Sequence, residues 1–334
     1  MNKPITLKEV AAQAGVSSTA VSAVLSQSPT RHVRVSEETR ARILKAAHDL
    51  RYRPNRAARS LRLARTNVIG VYTEGGYLNP FVPLTSQIIG GLHQGCDAHH
   101  KDLLLHGMDR GRTAEDIHAE LTGGMIDGLV LYTSASDPLA ALLAESTLPV
   151  VSLINAQPGL PMVGANDAAG ARLLAEHLAA RGHRRVVYLP GNASASSVER
   201  RQTAFFESAS ALGMAVSEGA TLSGHETVSA LDLDWLDLPP ARRPTAAACW
   251  NDLTAFSLLD HCHRRGLRVP EDLAVVGFDG AAPLRGGGVV LTTIQAPWVE
   301  VARRAVDLLV GILAGEASPP EILLPVRFLP GTTT

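Results

Sequence analysis

The chain has 334 residues, 46% of them apolar, with 31 Lys and Arg against 32 Asp and Glu. That length is enough for about two or three compact units, and no run of about 18 uncharged apolar residues offers a membrane span. The apolar content and a net charge of −1 exclude a disordered chain. Cys96, Cys249 and Cys262 form no CxxC pair, which excludes a disulfide framework or zinc ribbon.

The near-neutral total hides an asymmetry. Residues 1–66 carry 13 Lys and Arg against four acids, Glu9, Glu37, Glu38 and Asp49, and the remainder carries 18 against 28. A basic head on an acidic body points to a polyanionic partner for the head. The opening MNKPITLKEVAAQAGVS contains no signal-peptide-like apolar run, so a cytoplasmic setting is expected.

Residues 1–66 read as helices. Thr6-Leu7-Lys8-Glu9 has the form of a capping box. Leu7, Val10, Ala11 and Ala14 then make one apolar stripe, and Gly15 permits a left-handed turn. Ser17 is placed to cap a second helix that buries Val21, Val24 and Leu25 and presents Ser18, Thr19, Ser22 and Ala23 outward. Residues 26–35 form a loop carrying Arg31, His32 and Arg34. Ser36 caps a third helix with Glu37 and Glu38 in its first turn, and Pro54 closes the unit. Two short helices about a Gly turn, followed by a third, make a helix-turn-helix, whose second helix enters a major groove. Gly-turned helix pairs also occur as plain packing units; the charge excess favours DNA. Residues 55–62 are too short for a stable isolated helix.

From Val68 the texture changes to apolar runs at Val68–Tyr72, Leu103–His106, Gly128–Tyr132, Val150–Leu153, Val186–Leu189, Ala246–Trp250 and Ala274–Phe278. Amphipathic segments alternate with them at about 84–99, 113–123, 138–146, 168–181, 199–212, 252–265 and 297–314. This alternation predicts βαβ units, and their number exceeds one ordinary sheet, so two α/β lobes with parallel sheets are expected. The expected division is a DNA-binding domain at 1–54, a hinge and linker at 55–66, and a two-lobed body at 67–334.

The stretches TLKEVAAQAGVSSTAVSAVLS and VSEETRARILKAAHDLRYRPNRAARSLRLARTNVIGV resemble the lac-repressor (LacI/GalR) family of bacterial transcription regulators. The resemblance continues through NPF at 79–81, DGLVLY at 127–132, EHLAARGHRRVVYLPG at 176–191, ND at 251–252, GLRVPEDLAVVGFD at 266–279 and LTTI at 291–294. It implies a helix-turn-helix and hinge helix joined to a periplasmic-binding-protein-like body, with the chain crossing between lobes near 165, 295 and 325. It places Ser18, Thr19 and Ala23 at base-reading positions, where the family's frequent Arg is absent, and Thr6, Ser17 and Ser22 at phosphates. Thr6 and Ser17 read equally well as plain caps. The resemblance makes 55–62 the hinge helix, with Asn55 in it, Leu61 as a wedge between base pairs, Ala58 allowing close approach, and Arg56 and Arg59 toward phosphates. Arg31, His32 and Arg34 offer further DNA contacts.

For the body, the resemblance implies a small-molecule effector bound between the lobes. It brings Arg201 and Asp279 to that effector, with Asn79 and Phe81 in the loop after the first strand. Asn155, Trp250 and Asn251 are further candidates; Asn251 reads equally well as a cap and Trp250 as core. A carbohydrate is the expected effector, with a nucleobase or another metabolite as the alternative, acting as inducer or corepressor. The implied partner is a pseudo-palindromic double-stranded operator bound by a homodimer, with no cofactor and no membrane. A transported-solute receptor would need a signal peptide and no basic head. An enzyme would need a nucleophile or phosphate motif, and no GxSxG, P-loop or GxGxxG is present.

Overall fold

The computed structural model describes residues 5–25, 35–53, 65–74, 82–106, 111–191, 195–219, 233–239, 241–280 and 289–334. The chain separates into two compact units, Met1–Thr66 and Asn67–Thr334.

The first unit is three helices: α1 (Leu7–Ala14), α2 (Ser18–Leu25) and α3 (Glu37–Asp49). Local chemistry starts and stops each of them. Thr6 caps α1, with its backbone N–H and hydroxyl donating to Glu9 Oε2 at 2.6 and 2.8 Å. Gly15 ends α1 at φ 66°, a left-handed conformation that glycine adopts without a Cβ clash. Ser17 Oγ accepts from the Ala20 amide at 3.2 Å, and Ser36 caps α3 through the Thr39 amide. Val10, Ala11, Ala14, Val21, Val24, Ile43, Ala46 and Ala47 form the small shared core, with Leu7, Leu25 and Leu50 at its margin.

The second unit alternates strands and helices from β1 (Val68–Thr73), through α4 (Pro83–Ala98), β2 (Asp102–Leu105), α5 (Ala114–Leu121), β3 (Gly128–Tyr132), α6 (Pro138–Ala144), β4 (Val150–Leu153) and β5 (Met162–Ala165). The second lobe begins at α7 (Asp167–Ala180) and continues through β6 (Arg185–Leu189), α8 (Ser196–Ala211), β7 (Ala215–Glu218), β8 (Ala246–Cys249), α9 (Asp252–Arg264), β9 (Ala274–Val276) and β10 (Thr293–Gln295). The chain then returns to the first lobe with α10 (Trp298–Leu313) and β11 (Glu321–Leu324), and crosses back for β12 (Arg327–Leu329).

The first lobe is a parallel six-stranded sheet, ordered β11-β5-β4-β3-β1-β2. The second is a parallel four-stranded sheet, ordered β7-β6-β8-β9, with β10 and β12 as a separate antiparallel pair. Central strands covered by helices on both faces have no wet side: every residue of β3, β4, β5 and β8 is buried. The edge strands β2 and β7 are largely open to solvent.

This architecture is the expected one: a helical head and a two-lobed α/β body with parallel sheets. The crossings fall between β5 and α7, between β10 and α10, and between β11 and β12, matching the expected positions near 165, 295 and 325. Among the described residues no helix is long and apolar enough to cross a membrane.

Candidate functional site

In the helical unit, Ser18 and Thr19 are exposed at the start of α2, and Ala23 is half-buried one turn on. Ser22 does not fit the expectation of an outward position, because it is only 7% exposed. It flanks the stripe formed by Val21, Val24 and Leu25, and its small side chain is enclosed with the core. Thr6 and Ser17 are exposed, and their oxygens serve as caps. Arg31, His32, Arg34, Asn55, Arg56, Ala58, Arg59 and Leu61 lie outside the described residues, as do Asn79 and Phe81 of the body.

The body brings its candidates to one place. In parallel sheets, ligands collect beyond the C-terminal strand ends, where the strand order reverses. The four-stranded sheet reverses between β6 and β8. Arg201 lies on α8, which follows β6; Trp250 and Asn251 follow β8; Asp279 follows β9. Asn155 follows β4 on the opposite lobe. Two strained backbones mark the same region: Ile154 at φ 69° and Asp279 at φ 122°. A β-branched residue with positive φ is costly, and such strain gathers at functional sites.

Arg201 is the centre of the site. Its Nε donates to Asp167 Oδ1 at 2.8 Å, and one terminal nitrogen donates to the Trp250 carbonyl at 2.8 Å and to Asp279 Oδ1 at 3.2 Å. The guanidinium lies 3.8 Å over the Phe278 ring, a cation–π contact. Burial works against the arginine's charge, but Asp167 and Asp279 outweigh it and raise its pKa. The other carboxylate oxygen of Asp167 accepts from Arg200 Nε and Nη2 at 3.1 and 2.7 Å. Asp167, 1% exposed, thus holds two adjacent arginines. Breaking such a buried cluster by deleting one member costs about 3–5 kcal/mol.

Asp279 is 7% exposed, and burial pushes its carboxyl up to about 6, against the pull of Arg201. Asp252, the first residue of α9, is buried beside it and is pushed up to about 8, first by burial and then by Asp279. Thr293 Oγ1 donates to Asp252 Oδ1. Behind Arg201 lies a cavity of about 10 Å³, on the order of one water molecule. Tyr188, Trp250, Phe278, Phe205 and Cys249 are among its walls. The Tyr188 hydroxyl is buried and has no hydrogen-bond partner among the described residues.

The remaining described candidates have contacts within the protein. Asn251 Oδ1 accepts from the Thr254 amide at 2.8 Å, which makes it the cap of α9. Asn155 spans the lobes: its Nδ2 donates to the Thr133 carbonyl at 3.0 Å, and its Oδ1 accepts from Ser197 Oγ at 2.9 Å. Arg200 Nη2 also crosses, to the Ile154 carbonyl at 3.0 Å, and Ser196 Oγ accepts from the Ala156 amide at 2.8 Å. Trp250 is half-buried, its ring stacked against Gly191, where a Cβ would meet Trp250 at 2.5 Å.

Asp167, Arg200 and Tyr188 were not among the residues singled out from sequence. The signal for Asp167 was present as a repeated dipeptide. Asn166-Asp167 and Asn251-Asp252 each place an Asn cap before an inward-turned Asp at a helix start. Strand β5, which carries Asp167 to the site, has only four residues, Met-Val-Gly-Ala.

A two-lobed α/β body with a buried arginine–carboxylate cluster at its strand ends, together with a helix-turn-helix unit, defines a ligand-binding transcription regulator. Comparison with known proteins agrees. The helical unit matches the model of the bacterial regulatory proteins, lacI family, over residues 6–55, and residues 175–334 match the periplasmic binding protein-like domain. The HTH-type transcriptional repressor PurR of Photobacterium profundum is 30% identical over 311 residues, spanning 91% of this chain and 90% of that protein. The ribose operon repressor of Haemophilus influenzae is 28% identical over 314 residues, spanning 91% and 90%. The lac repressor dimer bound to operator and the anti-inducer ONPF has a TM-score of 0.83 at 26% identity, covering 99% of each chain. The chain belongs to the lacI family of bacterial regulatory proteins, and is a DNA-binding transcriptional regulator of that family.

Proposed function

We propose that this regulator represses transcription as a homodimer on a pseudo-palindromic operator, in the cytoplasm, and that a sugar or sugar derivative bound between the lobes changes its grip on DNA. The observation that carries the effector reading is the cluster on Arg201. Arg201 Nη2 beside the Asp279 carboxylate sets a donor next to an acceptor at the strand ends of a two-lobed body, which is the equipment needed to grip a hydroxyl. The likeness to an operator-bound lac repressor dimer supports the two-fold arrangement. On this reading Ser18, Thr19 and Ala23 face base edges, residues 55–62 act as the hinge helix, and Leu61 wedges the duplex.

Effector and DNA are coupled only if the effector prefers one lobe arrangement over the other. The bonds from Asn155 to Ser197 and from Arg200 to the Ile154 carbonyl are the contacts that a change in lobe angle would remake. A flat heterocycle such as a nucleobase is the second reading, with Trp250 as the ring it would stack on. The Phe278 face is already covered by Arg201, which favours the sugar.

Arg201→Lys tests the reading, because it keeps the charge and removes the fork. The variant is expected to bind operator within about threefold of the wild type, while losing its response to inducing metabolites. Fluorescence anisotropy on labelled operator reads both quantities. A normal response in the variant removes Arg201 from the effector site.

A further inference from the structure

Asp279 meets Arg201 from a turn whose backbone is under strain. Its φ of 122° lies in the left-handed half of backbone space, and a non-glycine residue persists there only where its surroundings over-determine it. Backbone pairing with the segment that leads into α10 holds one side of the turn. The Asp279 amide donates to the Ile294 carbonyl at 2.8 Å, and the Ala296 amide donates to the Asp279 carbonyl at 3.1 Å. The other side of the turn meets Asp252.

Asp252 begins α9, directly after the Asn251 cap, so the helix start sets its place. Its amide donates to the Phe278 carbonyl at 2.7 Å, and its carboxyl accepts from the Gly280 amide. One residue thereby holds the peptide groups on both flanks of Asp279. Thr293 Oγ1 donates to the same carboxyl and ties it to β10. Packing fixes the side chain further: Asp252 is 4% exposed, and a Cβ at Gly277 would meet its Oδ1 at 2.5 Å. Burial pushes its carboxyl up to about 8, so at pH 7 it is held mainly as the neutral acid and acts through its hydrogen bonds. Without that carboxyl the Gly280 amide loses this acceptor, and the strained turn is free to relax.

We infer that Asp252 is a positioning residue: by bonding to the peptide groups on either side of Asp279 it keeps that carboxylate turned to Arg201, and so completes the effector-binding cluster through a neighbour. Its consequence for binding rests on the cleft being the effector site; its hold on the turn does not. Asparagine is the conservative control, since it keeps an acceptor for Gly280 and presents an amide toward which the Thr293 hydroxyl can turn.

Hydrogen exchange of the full chain at pH 7, read at single amides, tests it. In Asp252→Ala the Asp279 and Gly280 amides should exchange at least about tenfold faster than in the wild type, a larger factor than any change in β3, and in Asp252→Asn within about threefold of the wild type. Unchanged exchange in the alanine variant, or a rise of equal size in β3, overturns the inference. If Asp252→Ala does not fold, Thr293→Val loosens the same carboxyl while keeping a branched side chain; exchange at Gly280 should then rise at least about threefold, and an unchanged rate overturns the inference. A second arm follows melting in D-ribose and in D-glucose. A rise shown by the wild type should be lost in Asp252→Ala and kept in Asp252→Asn. A rise kept in the alanine variant overturns the inference. A rise that survives in Arg201→Lys instead overturns the reading of the cleft, and the hold of Asp252 on its turn is then decided by exchange alone, as it is where neither sugar raises the melting temperature.

Discussion

Burial raises a carboxyl's pKa unless a cation offsets it, and the two inward-turned aspartates of the body keep different company. Asp167 has two arginines. Asp252 has Thr293 as a donor and Asp279 as a neighbour, and its carboxyl is raised from 3.8 to about 8. The sign of the linkage follows. Between those two values the unfolded chain has released a proton that the folded chain still holds, so this group's effect on stability worsens as pH rises through that window. Below about 4 the effect is absent. Asp252→Asn removes the titration and should stabilise the protein at pH 8 by on the order of 2 kcal/mol, with the gain shrinking toward pH 4. Urea unfolding at pH 4.5 and pH 8 measures it; a gain of equal size at both would mean that charge is not the cause.

Helices and strands were legible in the sequence to the extent that their signals are local. Caps are the clearest case: Thr6 with Glu9, Ser17, Ser36 and Gly15 all act where the residue types placed them. The seven apolar runs each became a strand, with ends shifted by a residue or two. Strands β5, β7, β10, β11 and β12 were not visible: Met-Val-Gly-Ala, Ala-Val-Ser-Glu, Thr-Ile-Gln, Glu-Ile-Leu-Leu and Arg-Phe-Leu each offer at most three consecutive apolar residues. Without β5 in view Asp167 stayed hidden, since a strand end is what gives that residue its address. Ser22 was misplaced for a related reason: helical periodicity separates the centre of a buried face from the outside but leaves its flanks undecided. Asn251 was open between ligand and backbone, and a cap bond of 2.8 Å uses its side-chain oxygen.

The pairing of α4 with α10 offers a test at the same scale. Gly90 and Gly91 are adjacent on α4, but an added Cβ at Gly91 would meet the Val299 carbonyl oxygen at 2.2 Å, and one at Gly90 meets nothing within 4 Å. Helix propensity favours Ala over Gly at both sites by about 1 kcal/mol. Gly90→Ala should therefore stabilise by roughly 0.5–1 kcal/mol, whereas Gly91→Ala should destabilise by about 1–3 kcal/mol because the helices must move apart. Thermal unfolding of the two variants side by side checks the contrast, and an equal gain in both would mean that the helices separate at no cost.

At the scale of the whole molecule, the segregation of charge sets how head and body respond to salt. Thirteen basic residues against four acids in the first 66 positions give the head its attraction to phosphate. If it neutralises about six phosphates, operator affinity should fall about 1,000-fold between 50 and 200 mM salt. Metabolite binding in the body should change far less, since its charges are paired and buried. A comparable salt dependence for both would show that the two sites do not divide the work in this way.

The body's two lobes are joined by three strands of backbone, after β5, after β10 and after β11. A protease that nicks one of them therefore does not release a lobe; the other two tethers hold the fragments together, and they should elute as one particle until denaturant is added. Bending is likewise shared among three parallel straps, so twisting any one of them alone is opposed by its neighbours. Rotation is thereby confined to the few motions that flex all three at once, which makes the joint a guided pivot instead of a loose tether.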